Sequence, residues 1–306
     1  MPSGKRSNIW VIVLVVVLIL FFAMIFVPFM FLLAPTDFKQ GNVALIEVRG
    51  VITEDGDYSF GQEAAASSDI VQFIRDADED PLIKAIVVDI NSPGGSAVAS
   101  DEIAHALKST EKPTVALIHE MGTSGAYWIA SAADTIIANR MSITGSIGVI
   151  ASYLEFSQLM DDYGVSYQRF VGGNYKDIGT PFKSPTDAER KLFQSKIDRI
   201  HEFFIDEIAK NRKLSESQVR QLATGEFFLG SEAKDRGLVD ILGNQQTLEE
   251  HLKQTLGIDE IEFALYAYEP TFFEALAGLA NEQFFFMGKG IGKSFVEQKT
   301  MASVIA

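Results

Sequence analysis

The hydrophobic pattern divides the chain into three regimes. Residues Ile9 to Leu33 form an unbroken apolar run, IWVIVLVVVLILFFAMIFVPFMFLL, with no charge between Arg6 and Asp37. As a helix, at about 1.5 Å per residue, it reaches about 37 Å, beyond the roughly 30 Å hydrocarbon core of a bilayer. A cleaved signal peptide has an apolar region of about 7–15 residues, and Ala34-Pro35-Thr36 is a poor match to an A-x-A cleavage site. The run predicts a retained transmembrane anchor over 9–33, behind a short N-terminus (1–8) and ahead of a linker (34–42). Lys5 and Arg6 precede it, which places the N-terminus in the cytoplasm and the rest of a single-pass protein outside the cell membrane.

After the linker, short apolar runs alternate with amphipathic stretches. Val43–Val48, Ile83–Ile90, Thr114–His119, Asp134–Ala138 and Val165–Val171 read as strands, rich in β-branched residues. Ile70, Val71, Phe73 and Ile74 fall at helical spacing, Ser96–Lys108 and Ser124–Ala133 read as helices, and Asp187–Asn211 as a long amphipathic helix. This alternation predicts an α/β domain, 43–268, with a largely parallel sheet. From 269 to 306 the pattern changes to a phenylalanine-rich tail with Lys289, Lys293 and Lys299 near its end.

Composition narrows the chemistry. The chain has no cysteine, which removes disulfides, thiolate metal sites and a cysteine nucleophile. Net charge is −15, and because Lys5 and Arg6 are the only charges before Asp37, the remainder carries −17. So acidic a body argues against nucleic acid as a partner. His119-Glu120 and His201-Glu202 each begin like H-E-x-x-H, but residues 123 and 205 are Thr and Ile. No glycine-rich phosphate loop is present, so neither a metal nor a cofactor is expected.

Small-residue turns at strand ends remain. Asn91-Ser92-Pro93-Gly94-Gly95 follows one strand, and paired glycines let backbone N–H groups point at a bound carbonyl oxygen. The next strand runs into Gly122-Thr123-Ser124-Gly125-Ala126. A serine there is either an N-cap or a nucleophile, with the N–H groups of Gly95 and Gly125 as its oxyanion hole. Neighbouring parallel strands would bring both turns to one sheet edge. For a base, Ser124…Asp240…His251 follows the hydrolase order, yet position 126 breaks G-x-S-x-G and His251 sits mid-helix in LEEHLKQTL. A neutral lysine is the other option, and Lys176 lies just after a strand in GGNYKDIGTPF; a solvated loop lysine is the plain alternative.

NSPGG (91–95), GTSGAYWIASAAD (122–134), TGSIGVI (144–150) and GNYKDIGTPF (173–182) occur in the order of the signal peptide peptidase A family, membrane-bound Ser/Lys proteases, which this chain resembles from about Val43 to Gly243. The resemblance implies a crotonase/Clp-protease-like fold of repeated ββα units. It implies Ser124 as nucleophile, Lys176 as general base, Gly95 (with Gly94 beside it) and Gly125 as oxyanion donors, and Ser146 as the residue orienting the lysine. From the residues alone, Thr144–Ser146 reads as a turn. The expected function is endopeptidase degradation of remnant signal peptides and other apolar peptides at the extracytoplasmic membrane face. The family's double-length members carry the lysine motif in one half and the serine motif in the other. This half-length chain should therefore share its sites between protomers of a ring, eight by resemblance. A crotonase-fold acyl-CoA enzyme and a non-catalytic membrane scaffold are the alternatives.

Overall fold

The computed structural model describes residues 6–32, 41–56 and 64–267, so most of the linker and the whole phenylalanine-rich tail lie outside the described residues. Helix α1 (Arg6–Leu32) is one continuous helix of 27 residues, about 40 Å long. Counted over described residues alone, no helix is long and apolar enough to cross a membrane. Residues 39–267 form a separate compact unit.

That unit runs β1 (Val43–Thr53), β2 (Ala64–Ala66), α2 (Ser67–Glu79), β3 (Ala85–Gly95), α3 (Ala97–Lys108), β4 (Thr114–Thr123), α4 (Gly125–Ser131), β5 (Thr135–Ala138), β6 (Ile143–Gly145) and α5 (Ser157–Asp162). It continues with α6 (Asp187–Arg212), α7 (Glu216–Leu222), β7 (Phe227–Leu229), α8 (Gly230–Asp235), β8 (Ile241–Leu242), α9 (Gln245–Leu256) and β9 (Phe263–Tyr266). All strand pairs are parallel except β6 with β7.

The three long strands bend, and the bend builds the site. The β1–β3 ladder shifts register between Arg49 and Val51, and β3–β4 shifts between Ile90 and Ser92. Before the bends the order is β9-β1-β3-β4-β5-β8; beyond them the same strands pair onward to β2 on one side and to β6 and β7 on the other. Asn91–Gly95, expected as a turn, is therefore strand. In place of the expected ββα units, β3–α3 and β4–α4 are each one bent strand followed by a helix, and β5 and β6 are two separate strands.

Alternation along each strand sorts side chains onto two faces. Ile46, Val48, Ile86, Val88, Ile90 and Ile118 join Ile70 and Ile74 of α2, Ile103 and Leu107 of α3, and Trp128 and Ile129 of α4, with Phe204 and Ile208 of α6. Val43, Val87, Leu117 and Ile137 face the other way, under Leu248 and Leu252 of α9. Each such side chain, fully buried, contributes about 1.5–3 kcal/mol.

One expected strand is absent. Residues 165–171 are irregular and exposed throughout. With no sheet edge beside them and neither face buried, their β-branched and aromatic content has nothing to pack on, and propensity alone does not hold a strand.

Candidate active site

Helix α4 is buried along its entire length, and that burial sets where Ser124 stands. Trp128 stacks on Phe204 of α6 with ring centroids 4.7 Å apart, and the buried Tyr127 hydroxyl donates to Leu238 O at 2.8 Å. Ser124 occupies the position before the first helical residue, with φ 54° and ψ −125°. Its hydroxyl caps nothing and makes no hydrogen bond among the described residues. The N-cap explanation therefore fails. A non-glycine residue held in this conformation stores on the order of 1–3 kcal/mol, and such strain clusters at functional positions. The backbone holds it in place: Ser124 N donates to Gly145 O at 2.8 Å, and Trp128 N donates to Ser124 O at 3.0 Å.

The bent end of β3 lies against this turn. A Cβ built on Gly94, whose φ is +97°, would stand 2.7 Å from Gly125 N and 2.9 Å from the Ser124 Cβ. One built on Gly125 would collide with Ser100 Oγ and sit 3.3 Å from Gly95 N. Gly94 N donates to Ser92 Oγ at 3.1 Å, and Ser92 Oγ donates to Gly50 O at 2.6 Å, so the amide of Gly94 is taken. Ser96 N donates across to Ile52 O at 2.8 Å. Successive strand amides point to opposite edges, so the N–H of Gly95 faces the Ser124 side. The Gly125 amide is in the first turn of α4, where no intrahelical acceptor exists. Two unengaged backbone donors thus flank the serine. Ser92 and Thr123, whose hydroxyl donates to Pro93 O at 3.1 Å, brace this turn; sequence reading passed over both, and only their burial reveals them.

Ser146 follows β6 directly, next to Ser124 across the Thr123↔Gly145 register, and it too has a positive φ, 50°. Its amide donates to Glu226 O at 2.9 Å, and its hydroxyl makes a long 3.4 Å contact with Gly225 O. The residues expected as a turn are thus the end of a strand followed by a strained serine.

Lys176 is exposed on a turn spanning residues 174–179, and its ammonium makes no hydrogen bond or ion pair among the described residues, to Ser124 or to any other group. Nor does the histidine alternative assemble. Asp240 is bound to Arg212 at 2.6 Å and accepts from Ile136 N at 2.8 Å, while His251 lies on α9, beside Leu248 and Leu252 under the opposite sheet face. His119 pairs instead with Asp89, which also binds Arg49 at 2.7 Å. Burial raises the Asp89 carboxyl above its ordinary range, and His119 and Arg49 counter part of that rise. Among the described residues, no group of three or more acidic or histidine side chains is placed to hold a metal.

A serine projected from a strained strand-to-helix turn beside two free amides is the arrangement of a serine hydrolase. Comparison with known proteins makes the class specific: the profile of Peptidase family S49 matches residues 106–259, and the chain belongs to that family of serine peptidases. It is 32% identical to a putative protease of Methanocaldococcus jannaschii over 79% of this chain and 76% of that one. It is 29% identical to a putative signal peptide peptidase SppA of Enterococcus faecium over 79% of this chain and 71% of that one. Protease 4 of Haemophilus influenzae is 34% identical over 66% of this chain but only 33% of its own length. Among solved structures, the S97A mutant of a membrane-bound stomatin-specific protease, 1510-N, superposes with a TM-score of 0.48 at 16% identity, covering 75% of this chain and 99% of that one. ClpP1 of Listeria monocytogenes gives 0.45 at 16% identity, covering 67% and 93%.

Proposed function

We propose that this S49 peptidase is a membrane-anchored Ser/Lys endopeptidase that degrades remnant signal peptides and other apolar peptides at the extracytoplasmic face. The observation that carries the catalytic part is Ser124, strained, uncapped and flanked by the amides of Gly95 and Gly125. Ser124 Oγ attacks the scissile carbonyl carbon and its proton passes to the neutral Nζ of Lys176. The two amides hold the oxyanion; the C–N bond then breaks as Lys176 returns the proton to the leaving amine. Water next attacks the ester carbon and gives its proton to Lys176, and the C–Oγ bond breaks, with Ser124 recovering the proton. Ser146, beside Ser124, orients the lysine.

The lysine comes from a neighbouring copy. Among the described residues the Lys176 ammonium has no partner, and the surrounding segment carries Ile150, Leu154, Tyr163 and Phe170, each at least 73% exposed. Apolar side chains displayed in such density mark an association surface. A heterologous contact repeated head to tail closes into a ring, here of eight copies. Helix α1, charge-free beyond Arg6, would span the bilayer with its N-terminus in the cytoplasm and confine the search to the plane where apolar peptides lie.

A fluorophosphonate probe added to the detergent-solubilised full chain tests the nucleophile. The mapped adduct should sit on Ser124 and vanish in Ser124→Ala, and Lys176→Ala should lose peptidase activity while remaining folded. An adduct elsewhere, or an active Lys176→Ala, would sink the dyad.

A further inference from the structure

The turn that carries Lys176 is held by an ion-pair network that the proposed reaction does not use. Asp177, the next residue, has a side chain only 11% exposed. Arg169 grips it in two places, Nε to Oδ2 at 2.5 Å and Nη2 to Oδ1 at 2.8 Å. The Nζ of Lys183 stands 4.0 Å from the same carboxylate and 2.6 Å from Glu189 Oε1. Glu189 is buried in the first turn of α6 and accepts from Thr186 N at 2.8 Å in a capping box. A chain of charges, Arg169–Asp177–Lys183–Glu189, therefore ties the lysine turn to the N-terminus of a 26-residue helix. Nearby, Ser184 bonds Glu155 at 2.9 Å, and Tyr167 meets Phe182 with ring centroids 5.6 Å apart.

We propose that Asp177 is a second positioning residue of the catalytic lysine, beside Ser146, and that the Arg169 fork, with Lys183 4.0 Å away, occupies its carboxylate so that it cannot trap the adjacent Lys176 ammonium. The inference rests on Lys176 being the base. The physical conflict is plain. A carboxylate next to a general-base lysine favours the charged, inactive amine; a carboxylate whose oxygens are already bound to a bidentate guanidinium does not. The Arg169 hydrogen bonds hold the Asp177 carboxyl below its usual range, so the brace persists wherever a lysine base operates. The fixed charges around the turn are Arg169, Asp177, Lys183 and Glu189, with Glu155 and Arg190 beyond them.

The test is the pH dependence of peptide hydrolysis by the full-length detergent-solubilised assembly, with Lys176→Ala alongside. Arg169→Gln exposes the carboxylate and removes a cation, so the activity limb moves to higher pH by about half a unit, a roughly threefold loss on the limb's acid side. Asp177→Asn moves it to lower pH while reducing the plateau, because the turn loses its brace. The double variant returns the limb to the wild-type position with the plateau still low. Arg169→Lys keeps the charge but not the fork, so it lowers the plateau with the limb in place; if Arg169→Gln does not fold, the Asp177→Asn shift to lower pH carries the test. A brace of purely structural consequence would scale activity equally at every pH, and an unmoved limb in both folded single variants, Arg169→Gln and Asp177→Asn, overturns the inference. A wild-type profile with no rising limb, or a limb that survives Lys176→Ala, overturns the lysine base and this proposal with it. A limb lost in Lys176→Ala but unmoved by Arg169→Gln and Asp177→Asn overturns this proposal alone.

Discussion

Ser124 and Ser146 are two of the three non-glycine residues with positive φ among those described, and they stand side by side. At such a position glycine is the relaxed residue, whereas in an ordinary helix it is worse than alanine by about 0.5–1 kcal/mol. Ser124→Gly should therefore melt above Ser124→Ala, and calorimetry of the two will show it; the reverse order would mean the backbone is not strained. Gly125 is constrained differently. An added Cβ there meets the Ser100 hydroxyl, since α3 and α4 approach closely at the turn. Gly125→Ala should cost about 1–3 kcal/mol in stability, with part of it recovered by adding Ser100→Ala.

At the scale of elements, α4 and α6 do the positioning. The Tyr127 hydroxyl ties α4 to the Leu238 carbonyl in a fully buried place, and desolvation pushes that phenol well up from its ordinary value. Tyr127→Phe leaves that carbonyl unbonded and should cost about 1–3 kcal/mol by denaturant unfolding. Thr186 caps α6 and receives Glu189 N at 3.3 Å, so Thr186→Ala should cost about 1 kcal/mol. Because Glu189 also holds Lys183, the same variant should raise exchange at the bonded amides of Lys176, Ile178 and Thr180 more than across the sheet. Equal protection in both would mean that the capping box and the lysine turn are uncoupled.

At the scale of the molecule, titration and assembly make separate predictions. The Asp177 and Glu189 carboxyls are both depressed in the folded protein, by hydrogen bonds from Arg169 and Lys183 respectively. Groups with lowered folded values contribute stability above the ordinary carboxylate range and lose it as pH falls through their depressed values. The amides of Lys176, Ile178 and Thr180, bonded within the lysine turn, should thus keep their protection through the usual carboxylate range and lose it only in stronger acid, read by exchange at stepped pH. For assembly, the proposed shared site predicts that Ser124→Ala and Lys176→Ala are each inactive alone and that mixing the two restores activity, since some interfaces would pair an intact serine with an intact lysine. No recovery despite demonstrated mixing would make each site the property of a single chain.

Much of this was legible in the residues themselves. Alternation of apolar runs with amphipathic stretches located β1, β3, β4, β5 and α6, because burial of one face imposes a period that survives in any single sequence. The NSPGG and GTSG segments identified themselves by small residues that only a close backbone approach requires, and they do converge. Other features are set by tertiary contacts. Whether Asn91–Gly95 was turn or strand depended on β1 and β4 lying on either side, and Val165–Val171 failed as a strand because no edge lies beside it. The strain at Ser124 and Ser146, the engagement of Gly94 by Ser92, and the grip of Arg169 on Asp177 involve groups brought together by chain geometry, and no local pattern records them. Local periodicity encodes which face of an element is buried; which groups meet across elements is decided only when the sheet bends and the helices close over it.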